Sequence, residues 1–117
     1  MAACSSTTKV VRREDSEAAR EMRIADSLEA ASAIHEAAVR YSSIAERFPG
    51  SRFYQTAVRE AALLYNAIDD SASLHWLQVY ANQPISKEEK ETAIVQISLL
   101  RRIGTLQQEI DSLMQYS

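Results

Sequence analysis

Residues 37–51 read AAVRYSSIAERFPGS and residues 72–86 read ASLHWLQVYANQPIS. Ala37, Tyr41, Pro49 and Ser51 of the first stretch return as Ala72, Trp76, Pro84 and Ser86 of the second, each displaced by 35 positions with its small, aromatic, helix-stopping or capping character kept. Just downstream, Thr56-Ala57-Val58 and Ala62-Leu63-Leu64 return as Thr92-Ala93-Ile94 and Ser98-Leu99-Leu100 at an offset of 36, which one inserted residue between helices explains. Apolar side chains between the stops recur at three- and four-residue steps, the spacing of one face of an α-helix. The chain therefore reads as helices in pairs, with the pair repeated.

Composition agrees with that reading. Among 117 residues there are only two Gly and two Pro, where average usage of about 12% would supply roughly fourteen. Turns are few and elements long, which argues against a β-sandwich or small barrel. Hydrophobic residues make up 46% and charged residues 25%, with thirteen basic against sixteen acidic side chains for a net charge of −3. No basic stripe invites nucleic acid. A single cysteine excludes an internal disulfide framework and a thiolate zinc cage. No run of about eighteen apolar residues is present to span a bilayer.

Working outward, the pattern predicts helices over 14–48, 52–68, 72–82, 87–103 and 106–114, behind a flexible tail over 1–13. The first span is read as one long helix, although Asp26-Ser27-Leu28-Glu29 has the spacing of a capping box and could divide it. Ser51 and Ser71 are cap candidates for the second and third helices. Ser86-Lys87-Glu88-Glu89 and Thr105-Leu106-Gln107-Gln108 are box sequences for the last two, with Gly104 suited to a helix end between them. Tyr41, Phe48 and Trp76 are read as packing residues.

A small residue, an aromatic four positions later and a proline twelve positions after the small one, in helix pairs about 35 residues apart, resemble the tetratricopeptide repeat. Arg47-Phe48-Pro49-Gly50-Ser51 is similar to the aromatic-Pro-x-Ser string of bacterial members. The resemblance covers residues 28–113. It departs from the family pattern in lacking Trp-x-x-Leu-Gly, and in having Gln108 and Ser112 where the last repeat would place its small and aromatic residues.

The resemblance implies an all-α fold of antiparallel hairpins stacked as a short right-handed solenoid of about two and a half repeats. It also implies a noncatalytic adaptor that binds a protein or peptide on its concave side. Aligning the two repeats assigns Gln55, Arg59, Asn66, Glu91, Val95 and Arg102 to that groove. Ala2-Ala3-Cys4-Ser5-Ser6 resembles the end of a bacterial lipoprotein signal, with Cys4 as the lipidated residue, although no basic and apolar stretch precedes it in this sequence. A tethered periplasmic, outer-membrane-anchored protein is the location this implies; the alternatives are a free cysteine and a cytoplasmic protein.

No catalytic, metal or cofactor motif is found. His35 and His75 read as partly exposed helix residues, and the acidic group Glu88, Glu89 and Glu91 is explained by the dipole at a helix start. Leu99, Ile103, Leu106, Ile110 and Leu113 follow a 4-3-4-3 spacing. That stripe either folds back on the fourth helix or, through Leu106, Ile110 and Leu113, joins a second molecule. A homo-oligomer built on solenoid ends and this last helix is the alternative function.

Overall fold

A computed structural model describes the backbone of residues 2–115 and the side chains of residues 13–115. Five helices follow one another: α1 (Ala2–Ala30), α2 (Ile34–Arg47), α3 (Tyr54–Tyr65), α4 (Asp70–Ala81) and α5 (Lys87–Gln115). The described chain is all-α, without a strand. Each helix packs on its neighbour in sequence, α1 on α2, α2 on α3, α3 on α4 and α4 on α5. A closed bundle would also bring first and fourth helices together; here the contacts run stepwise along a body 71 × 32 × 23 Å in extent. The fold is helical-repeat-like in that sense.

The core is a continuous line of small and aromatic side chains. Ala18, Met22 and Ala25 of α1 meet the stripe Ala37, Ala38, Tyr41, Ile44 and Ala45 of α2. Ala57, Val58, Ala61 and Ala62 are the buried residues of α3, which packs on both α2 and α4, and Ser73, Trp76, Leu77 and Tyr80 are among those of α4. Ala93, Ile97 and Leu100 of α5 close the line. Alanine at the crossings lets helix axes approach closely, and the aromatics fill what remains. Ile68, the last residue of the span 52–68 expected for the second helix, is exposed because α3 ends at Tyr65 and Ile68 falls in the following turn.

Several boundaries differ from the sequence reading. The span 14–48 is two helices, and the break lies not at Asp26 but at Ser32, which adopts φ 62°. Ala33 N–H donates to the Leu28 carbonyl and Ser32 N–H to that of Glu29, both at 2.9 Å. This is a Schellman termination with serine at the left-handed position where glycine is usual, so its most familiar signal is missing from the sequence. Upstream, α1 begins at Ala2 and takes in the stretch read as a tail; Met1 lies outside the described residues. Asp15 of α1 accepts from Arg52 N–H at 2.9 Å, tying that helix to the α2–α3 turn.

The caps also shift. Asp69, not Ser71, caps α4, its carboxylate accepting from Ala72 N–H at 3.1 Å. Ser51 caps nothing: α3 begins after Phe53 without a side-chain cap, and the Ser51 hydroxyl is buried without a partner among the described residues. Ser86 does cap α5, accepting from Glu89 N–H at 3.1 Å. Glu89 does not complete the box, because its carboxylate is taken by Tyr80.

The largest difference is α5. The two helices expected at 87–103 and 106–114 are one, and Gly104 lies inside it without a positive φ. Thr105 turns its hydroxyl back to the Arg101 carbonyl at 3.1 Å instead of capping a new start. The last segment consequently does not fold back; residues 101–115 are all exposed. Space for a Cβ at Gly104 is open, with nothing within 4 Å. Gly104→Ala should therefore raise helicity and stabilise α5 by about 1 kcal/mol, the usual glycine penalty inside a helix. Circular dichroism at 222 nm during a thermal scan checks this, and a loss of helicity would restore the two-helix reading.

Candidate functional site

A cleft of about 460 Å³ lies where α3, α4 and α5 meet. Helix α3 supplies Arg59, Ala62, Leu63 and Asn66 at three- and four-residue steps, so all four lie on one face. Helix α5 answers with Glu88, Glu89, Thr92, Ala93 and Gln96, and α4 forms the base with Ser73, Leu77 and Tyr80. Ala62, Leu77 and Ala93 give an apolar floor, all buried. Leu63 stands in the mouth with 59% of its surface exposed.

Hydrogen bonds fix both walls. Gln96 Nε2 donates to Asn66 Oδ1 at 3.2 Å, linking α5 to α3. Tyr80 donates its hydroxyl proton to Glu89 Oε2 at 2.6 Å, linking α4 to α5. Burial first, and then the Glu89 carboxylate, push the Tyr80 phenol above its ordinary value of 10.0, while the Arg59 guanidinium pulls it part of the way back. The cleft thus carries a cation on the α3 wall and two carboxylates on the α5 wall, over an apolar floor.

The Ser73 hydroxyl at the base of the cleft is buried and donates to the Ala62 carbonyl at 2.9 Å. No group of three or more His, Cys, Asp or Glu is placed to hold a metal among the described residues. His35 and His75 are both exposed, and the His75 ring packs edge-on against Trp76 with centroids 5.0 Å apart. Tyr41 is 1% exposed and its hydroxyl faces the carboxylates of Asp26 and Glu29. Burial and these two acids hold its phenol above the usual tyrosine range, so it remains a neutral donor joining α1 to α2.

Of the six residues aligned from the repeats, Arg59 and Asn66 line the cleft. Gln55 is half-buried one turn before Arg59, and Glu91 and Val95 are exposed on α5 outside the lining. Arg102 lies beyond the body on the exposed half of α5. The reason is geometric. A 36-residue shift carries a residue to the same side of the next equivalent helix, whereas two walls that face each other use opposite sides. Residues 89, 92 and 96, not 91, 95 and 102, present the facing side of α5. Cys4 lies on the described backbone of α1, but its side chain is outside the described ones.

Together these features define an all-α, helical-repeat-like protein with a mixed-charge cleft. Among known proteins, no family model, no curated protein and no solved structure matches the chain. No described helix is long and apolar enough to cross a membrane.

Proposed function

We propose that this chain is a noncatalytic interaction module of the tetratricopeptide kind, which holds a short segment of a partner protein in the α3–α5 cleft. The observation that carries the reading is Leu63, a large apolar side chain held open to solvent in a cleft whose rims are Arg59 and Glu88. A ligand with an apolar side chain for the floor, flanked by one acidic and one basic group, would satisfy all three. The 35-residue recurrence of small, aromatic and proline positions supports the stacked-repeat part of the proposal. In its fuller form Cys4, preceded by Ala2-Ala3, carries acyl chains and tethers the module to a bacterial outer membrane on the periplasmic side.

Selection of displayed random peptides on the purified chain tests the cleft. Selected peptides should carry an apolar residue between opposite charges. Leu63→Asp and Arg59→Glu should each weaken them about tenfold or more, equal to about 1.4 kcal/mol, while Glu91→Lys, outside the lining, leaves affinity unchanged. Peptides bound equally by all three variants would remove the cleft as the binding surface.

A further inference from the structure

The C-terminal half of α5 presents an apolar seam that the body of the molecule does not cover. Leu99, Ile103, Leu106 and Ile110 are 47 to 52% exposed. Ala93, Ile97 and Leu100 face the body from the same helix. At 3.6 residues per turn the seam lies roughly a third of a turn away from them, so a second helix can lie along it while α4 keeps its place. In heptad terms Ile103 and Ile110 occupy a positions and Leu99 and Leu106 occupy d positions, with Arg102 and Glu109 at the flanking g positions.

We propose that two copies of this chain associate through this seam, with the α5 helices antiparallel. Pairing residues whose numbers sum to 209 apposes Leu99 with Ile110 and Ile103 with Leu106, and the two-fold axis repeats both layers with the copies exchanged. Every layer then holds one leucine and one isoleucine. In that same register the g positions of the two helices meet, setting Arg102 of each copy against Glu109 of the other. The surface is complementary to itself in shape and in charge, which is what a two-fold interface requires. A parallel pairing offers no such match, since it sets Arg102 beside Gln107 and Glu109 beside Met114. Arg102 and Glu109 are seven residues apart within one helix, too far for an ion pair of their own, which leaves both available across the seam. From Leu99 to Ile110 the seam runs about 17 Å, short for a coiled coil, so the dimer forms at micromolar rather than nanomolar concentration. It does not depend on the cleft reading.

Sedimentation equilibrium of the full chain carrying Cys4→Ser, from low micromolar to near-millimolar concentration, tests it. The expected result is a reversible dimer. Arg102→Glu and Glu109→Arg should each raise the dissociation constant about tenfold or more, because each places like charges opposite one another twice. Mixing these two variants should recover dimer to within about threefold of the parent, since both cross-pairs are then complementary; circular dichroism shows that each variant stays folded. A chain that is monomeric throughout, a dimer indifferent to both reversals, or reversals that weaken it without recovery on mixing would each overturn the proposal. Peptide binding in the cleft, measured below the dimerisation range, should not change with either reversal, so failure of one proposal is distinguishable from failure of the other.

Discussion

Trp76→Ala should destabilise the protein by about 3 to 5 kcal/mol, the range for removing a large aromatic from a packed interior. Trp76 is 7% exposed on α4, and α4 is the helix that α3 and α5 both pack on. Because the helices pack chiefly on their neighbours in sequence, few other elements are placed to collapse into the vacated space. The cost therefore sits at the high end, against a total stability that for a domain of this size is about 5 to 15 kcal/mol. Urea denaturation followed at 222 nm measures it. Trp76→Phe, which keeps the ring and loses less volume, should recover more than half of the loss. A cost under about 1 kcal/mol would contradict the burial of Trp76 and with it the reading of the 35-residue repeat as a packing repeat.

That repeat was the most legible part of the fold, and for a physical reason. The aromatic at 41 and 76 and the proline at 49 and 84 act through volume and a missing N–H, which operate wherever the chain goes. Tyr41 and Trp76 are accordingly buried, and both prolines fall between helices. Caps were legible only in part, because a serine or threonine side chain caps a helix only if the helix starts there. Ser86 does so. Ser51 and Thr105 have the same chemistry but sit where the backbone does something else, and Thr105 is simply inside a helix. The break at Ser32 carries the opposite lesson, since packing of Tyr41 against the end of α1 can hold a left-handed serine that local preference would not choose. The cleft was half legible. Periodicity puts Arg59 and Asn66 on one face of α3, but which face of α5 looks back at them depends on how the two helices are rotated, and repetition alone does not say.

Ser73→Leu probes the α3–α4 contact at the base of that cleft and should cost about 2 to 4 kcal/mol. Ser73 is fully buried, and its hydroxyl donates to the Ala62 carbonyl of α3 at 2.9 Å. That carbonyl also accepts from Asn66 N–H at 3.2 Å, where α3 ends. Losing the serine donor alone, as in Ser73→Ala, should cost about 0.5 to 1.5 kcal/mol. Leucine adds bulk where α3 and α4 meet and overpacks by a further 1 to 3 kcal/mol or so, because Ala62 on α3, whose carbonyl Ser73 touches, is itself buried. Ala38 on α2 occupies the position 35 residues earlier and is also fully buried. Ala38→Leu should therefore show the steric part of the loss without the hydrogen-bond part. If both leucine variants are tolerated within about 0.5 kcal/mol, the range of ordinary surface substitutions, the helices are not held together by close approach at small residues. The spacing that shapes the cleft would then need another cause.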